Sequence, residues 1–204
     1  FGSRGVGGSP IRGDFLVKTA NKQLNFVQHI IEILANNGKS AVVLPDNVLF
    51  DNSGKKIREH LLKTCNLHTI LRLPDGTFQP YAGVKANVFF FTKGKPTEEI
   101  WYYDLRTNIT NINKGNPLTK KLFEDFEKCY HLKSRKPSKR FQKITLNEIE
   151  DNKFNLDISI MEDESVLKLE SLPGPKVFTK VISKHLQSVT KSINELIKNL
   201  EEQT

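Results

Sequence analysis

The sequence predicts an α/β fold. It reads as the closing half of a doubly wound sheet, ending in an antiparallel strand pair, with a helical arm behind it. Three observations carry this. Ser40–Pro45 (SAVVLP) is a short, wholly apolar run, the pattern of a strand buried on both faces of a parallel sheet. Helical periodicities stand on either side of it. The connection between two later strands, 74–85, is twelve residues with no helical period, too short for a parallel crossover.

Taken in order, residues 1–14 form a loop, with Gly2, Gly5, Gly7, Gly8 and Gly13 beside Arg4 and Arg12. The loop lacks the terminal Gly-Lys-Ser/Thr of a phosphate cradle. Leu24, Val27, Ile31 and Leu34 then recur at 3-4-3 spacing and predict a helix. Thr19 or Asn21 caps its start, and Gly38 sits past its end. Asp46 and Asn47 follow the SAVVLP strand, on the edge where open α/β sheets place their sites.

A second helix is expected near Gly54–Lys63, with Ile57 and Leu61 one turn apart. Thr69–Leu73, Ala86–Lys93 and Ile100–Leu105 read as strands. The loop after Thr69–Leu73 carries Phe78 and Pro80. Residues 106–118 are a polar connector, and Thr119–Tyr130 reads as a helix burying Leu122, Phe123, Phe126 and Cys129. Leu132–Lys143 holds six basic residues and no acid: Lys133, Arg135, Lys136, Lys139, Arg140 and Lys143. Ile144–Ile160 is a small mixed stretch. After Pro173-Gly174-Pro175, Ile182, Leu186, Val189, Ile193, Leu196 and Leu200 are spaced 4-3-4-3-4, a short coiled-coil seam. Three regions result: 1–112, the sheet domain; 113–172, a helical and basic connector; and 173–204, the heptad helix.

Composition bounds the function. Hydrophobic residues make up 37% of the 204, enough for a core. The apolar runs are strand-sized, which excludes a membrane-spanning helix. Cys65 and Cys129 belong to no CxxC pattern, so free thiols in a reducing cytoplasm are expected. The five histidines show no metal-ligand spacing, and His29 reads as structural. A net charge of +8 points to a polyanionic partner, nucleic acid first. Composition alone discloses no catalytic apparatus. The single methionine is Met161, so the chain, starting at Phe1, reads as a piece of a longer protein.

Longer stretches carry a resemblance. NKQLNFVQHIIEILANNGKSAVVLPDNVLF (Asn21–Phe50), GKKIREHLLKTCNLHTILRLPDGTFQPYAGVKANVFFFTKG (Gly54–Gly94) and EIWYYDLRTN (Glu99–Asn108) resemble the modification subunit of type I restriction–modification systems. LDISIMEDES (Leu156–Ser165), the LPGP turn and the terminal helix continue the resemblance in the same order. Members of that family are N6-adenine DNA methyltransferases. The fold implied is the second half of a Rossmann-like, S-adenosylmethionine-dependent methyltransferase sheet. The cofactor implied is S-adenosylmethionine, with no metal.

The same resemblance implies site residues. Phe1 and Gly2 end the catalytic Asn-Pro-Pro-Phe-Gly loop, so Phe1 is expected to stack on the flipped-out adenine. The Asn-Pro-Pro portion and the glycine-rich methyl-donor loop would lie before Phe1, and the chain by itself is expected to be inactive. Phe78 is a second aromatic for the base or, equally, packs beneath its loop. Asp46 and Asn47 line a pocket wall or cap a turn. Arg4 and Arg12 meet phosphates or belong to a plain loop. The basic run 133–143 tracks the DNA backbone, with a salt slope of roughly −5 for six neutralised phosphates, or is a solvated connector. The heptad helix folds back or, as in the resembled family, docks on the specificity subunit. The partners implied are double-stranded DNA, that specificity subunit and a restriction/motor subunit, with a cytoplasmic location and no membrane. Two alternatives stand beside this reading: a non-enzymatic DNA- and partner-binding scaffold, and a stand-alone adenine methyltransferase with its own specificity domain.

Overall fold

A computed structural model describes residues 12–79, 84–131 and 134–161, and beyond them the helical positions Thr179, Ser183, Leu186, Thr190 and Ile193. The chain divides into two compact units, Phe1–Glu162 and Asp163–Thr204.

In the first unit the elements run α1 (Lys22–Ile33), β1 (Lys39–Pro45), α2 (Asn47–Phe50), α3 (Lys55–Thr64), β2 (Cys65–Arg72), β3 (Ala86–Lys93), β4 (Glu99–Asp104), α4 (Glu124–His131), β5 (Phe141–Thr145) and α5 (Leu146–Asp151). Short 3₁₀ turns precede α3 and α4. Helix α1 starts where Asn21 accepts hydrogen bonds from the amides of Gln23 (3.0 Å) and Leu24 (3.3 Å), satisfying two of the donors a helix start leaves open. The predicted stripe is the buried one, with Leu24, Val27 and Ile31 inside.

The five strands form one sheet in the order β1-β3-β2-β4-β5. Strand β3 pairs antiparallel with both β1 and β2, as the short β2–β3 connection requires. Strands β1 and β2 are therefore parallel to each other, with α3 in their crossover and β3 inserted between them. Strand β4 pairs parallel with β2. The β3–β4 link crosses beneath the start of β2. There Thr97 stands in for ladder bonds, taking the Leu67 amide (2.8 Å) and donating to the Cys65 carbonyl (2.7 Å).

Two expectations are corrected. β1 is not enclosed by parallel neighbours. Among the described residues its only partner is the antiparallel β3, and its burial alternates until Leu44, leaving Val43 39% exposed. The basic stretch before Lys143 is not all connector. Its end is β5, which adds antiparallel to β4 because Phe141 stacks on Trp101 with ring centroids 4.7 Å apart. A capping box between Thr145 and Glu148 then starts α5.

The core lies on both faces of the sheet. Ile100 and Tyr102 of β4 join Leu24, Ile57, Leu61, Phe89 and Phe91 on one face. Trp101 and Tyr103, next to them in sequence, join Leu71, Phe126 and Phe141 on the other. Alternate residues point to opposite faces, so an almost wholly apolar strand is buried twice over. Among the described residues no helix is long and apolar enough to cross a membrane.

In the second unit, Leu186 (62% exposed) and Ile193 (50%) present apolar side chains, and Thr190 bonds back to the Leu186 carbonyl at 2.9 Å. The other seam positions, Ile182, Val189, Leu196 and Leu200, lie outside the described residues, as does the Pro-Gly-Pro break.

Candidate functional site at the carboxyl edge of the sheet

Strand directions bring four chain ends to one edge: the ends of β1, β2 and β4 and the start of β3. Open α/β sheets bind ligands outside this edge. Here it is organised by one arginine. Arg106, two residues past β4, sends Nη1 to Asp46 Oδ2 (2.8 Å) and Nη2 to Asp46 Oδ1 (3.0 Å), a two-pronged pair. Nη2 also reaches the Ala86 carbonyl (2.9 Å), and Nε reaches the Leu73 carbonyl (3.1 Å). The Arg106 side chain is only 8% exposed. Asn87 donates to Asp46 Oδ1 at 2.7 Å. Burial pushes the Asp46 carboxyl up, but the hydrogen bonds and charge of Arg106, with the Asn87 amide, outweigh it and hold Asp46 below the usual carboxylate range.

The turn after β4 makes this arginine available. Buried Asp104 accepts from the amides of Arg106 and Thr107, each at 2.7 Å, and from the Thr107 hydroxyl. This Asx turn folds the chain back over the strand ends. The β2–β3 connection lies against the following residues: the Ile112 amide donates to the Asp75 carbonyl at 2.8 Å.

The residues expected from the sequence are distributed unevenly. Asp46 and Asn47 are at this edge, and both are engaged. Asn47 opens α2 and donates to Gln23 Oε1 at 2.7 Å. Phe78 is part-buried and packs against the second core cluster. Arg12 forms a two-pronged pair with Asp14 (2.5 and 2.9 Å), lies over the Phe15 ring, and contacts His29 Nδ1.

Three members of the basic run serve the fold. Arg135 bonds the His68 carbonyl (3.1 Å) and Thr69 Oγ1 (2.9 Å). Arg140 bonds the carbonyls of Asp104 and Thr107, both at 2.9 Å. Lys143 pairs with Glu99 at 2.9 Å, which holds that carboxyl low. Lys136 and Lys139 are exposed. Phe1, Arg4 and Lys133 lie outside the described residues.

Arg106 was not among the expected site residues. The signal was the run Asp104-Leu105-Arg106-Thr107 at the end of an apolar strand, an acid and a base at the edge where ligands bind. Two further buried arginines brace the segment after α5. Arg58 reaches the Phe154 carbonyl, and Arg72 reaches the Ile158 carbonyl (3.0 Å) and Asp157 (2.8 Å).

Comparisons with known proteins agree with one another. Residues 11–166 match the N-6 DNA Methylase family. The methylase subunit of the type I restriction enzyme StySJI from Salmonella typhimurium strain LT2 is 35% identical, over 98% of this chain and 45% of its own length. The solved M protein of the type I enzyme EcoKI, from Escherichia coli strain K12, superposes with a TM-score of 0.72 at 34% identity, covering 96% of this chain and 47% of that one. A structure described as showing complex assembly and conformational transition of the type I R-M system superposes with a TM-score of 0.68 at 28% identity, over 97% and 44%. The chain thus spans about half the length of the relatives it matches.

Proposed function

The chain belongs to the N-6 DNA methylase family, and from that premise we propose that it is part of the modification subunit of a type I restriction–modification system, acting in the cytoplasm. The whole subunit transfers a methyl group from S-adenosylmethionine to adenine N6 in double-stranded DNA. The observation that carries this reading is the joint match of sequence and fold to type I methylase subunits across nearly the whole chain.

Adenine N6 lies inside the duplex, so the base must be swung out and held at the enzyme surface. Phe1 stacks on the extruded base, and Phe78, next to the carboxyl edge, supplies a second aromatic wall. Asp46 and Asn47, already engaged with Arg106 and Gln23, serve as a rigid wall. At the turn after β1 the Asp46 carboxylate is already taken by Arg106, so this strand end does not fit a methyl-donor site. Donor binding is assigned to the part of the subunit that this chain does not span.

Lys136 and Lys139, both exposed, contact DNA phosphates together with Arg4 and Lys133, whereas Arg135, Arg140 and Lys143 hold the fold. Arg12 joins them by exchanging Asp14 for a phosphate. The helix bearing exposed Leu186 and Ile193 docks on the specificity subunit, and the motor subunit completes the assembly. The test is transfer of labelled methyl from S-adenosylmethionine to DNA by the full-length subunit, with and without its specificity partner. Label on adenine N6 that depends on the partner is expected. Label on cytosine, or none, overturns the reading, and full activity without the partner overturns the docking assignment.

A further inference from the structure

We infer that Arg106 is a positioning residue for base handling: it sets the β2–β3 connection, and with it Phe78, against the end of β1. The inference rests on the methylase reading above and deepens it. One guanidinium bonds the residue just before the connection, through the Leu73 carbonyl, and the residue just after it, through the Ala86 carbonyl. It also grips Asp46 with two prongs. The stems are drawn to the same place by the backbone. Leu73 N donates to the Ala86 carbonyl, and Asp46 N donates to the Lys85 carbonyl, both at 3.0 Å.

The first half of the connection leans on Arg106 as well. Asp75 Oδ1 lies 3.7 Å from Arg106 Nε, buried and accepting no hydrogen bond among the described residues. Residues 74–79 form tight turns, with Thr77 Oγ1 donating to the Pro74 carbonyl (2.6 Å) and Gln79 N to the Gly76 carbonyl (3.0 Å). A displacement of the Leu73 and Asp75 anchors therefore carries Phe78 with it. A planar fork can hold a carboxylate and two carbonyls at once, whereas an ammonium on a flexible stem holds them one or two at a time. A misplacement of about 1 Å at a reacting centre can cost on the order of a hundredfold in rate.

The experiment uses the full-length subunit with its specificity partner, on duplex carrying 2-aminopurine at the target adenine for fluorescence and adenine for turnover. For R106K we expect kcat reduced about tenfold or more and a weakened extrusion signal. KM for DNA and binding of S-adenosylmethionine should stay within about threefold. Kinetics are normalised to active sites by single turnover, which a merely folded-fraction effect does not survive. R106K with kcat and fluorescence within about twofold of wild type overturns the inference. If R106K fails to fold, D75N decides: it keeps Arg106 and changes only a part-exposed loop carboxylate, and a wild-type fluorescence signal in D75N overturns the inference. A wild-type subunit that transfers no label to adenine overturns the methylase reading and this inference with it.

Discussion

Arg58 Nε donates to the Phe154 carbonyl at 2.7 Å, joining α3 to a segment ninety-six positions later. The same guanidinium reaches the carbonyls of Val48 (3.1 Å) and Asp51 (2.9 Å), and the residue is 3% exposed. Burial lowers its pKa, partly offset by the charges of Asp51 and Glu59, but a guanidinium stays protonated. The charge is thus solvated mainly by carbonyl dipoles. Arg58→Met keeps much of the volume and takes this donor from the buried Val48 and Phe154 carbonyls, while the Asp51 carbonyl keeps the Gly54 amide at 3.0 Å. A loss of about 3 kcal/mol is expected, read as a lower urea midpoint at unchanged m-value. A loss below about 1 kcal/mol would show that water replaces the arginine without penalty.

The fold at neutral pH depends on an uncharged His68. Burial, with the nearby charges of Arg135 and then Lys39, pushes its pKa down to about 4. Arg135 donates to Thr69 Oγ1, which frees the Thr69 hydroxyl proton for His68 Nδ1 at 2.9 Å, so the ring accepts there. The unfolded chain takes up a proton near pH 6.5, and the folded one does so only near pH 4. Stability from this group is full above about pH 6.5 and is lost as pH falls through the window down to about 4. After discounting for partial solvent access, about 1–2 kcal/mol is at stake. In His68→Gln, stability plotted against pH should be flatter across that window. An unchanged slope would place the acid sensitivity elsewhere.

Legibility from sequence followed how local each cause was. Helix α1 could be read because its stripe and its Asn21 cap lie within a few residues of each other. The antiparallel turn between β2 and β3 could be read from loop length alone. β1 misleads because an apolar run looks the same whether or not both of its edges are paired. β5 is not legible locally, because Phe141 sits in a run of lysines and arginines, and its reason to be a strand, Trp101, is forty positions away. The site divides in the same way. Asp46 and Asn47 were visible from their place after a strand. Arg106 was not, since its partners Asp46, Leu73 and Ala86 meet only once β1, β2 and β3 are adjacent.

Gly76 has φ +82, where L side chains are strained, and a Cβ built on it would lie 2.0 Å from the Ile112 carbonyl oxygen. That neighbour is backbone and is itself tied to the connection through the Ile112 amide and the Asp75 carbonyl. Gly76→Ala must therefore push residues 75–77 away from the segment after β4. A cost of about 2 kcal/mol or more is expected, with faster hydrogen exchange at the Ile112 amide. Wild-type protection at Ile112 would mean that the two segments part without consequence.

Lys153 and Phe154 are consecutive non-glycine residues in the left-handed region, with φ 55 and 60. An L residue there costs roughly 1–2 kcal/mol. Phe154 has compensation: its amide bonds the Ile149 carbonyl (2.9 Å), its carbonyl takes Arg58, and its ring packs on the first core cluster. Lys153 is exposed, and its backbone amide, bonded to the Glu150 carbonyl at 2.8 Å, survives any substitution except proline. Lys153→Gly removes the Cβ strain and sacrifices no packing. It also widens the freedom of the unfolded chain, so the net gain should be about 0.5–1 kcal/mol. Phe154→Gly removes the same strain but empties a core position, so it should be destabilising by about 2 kcal/mol or more. Thermal midpoints of the pair should move in opposite directions. A lowered midpoint for Lys153→Gly would show that its left-handed conformation stores no strain.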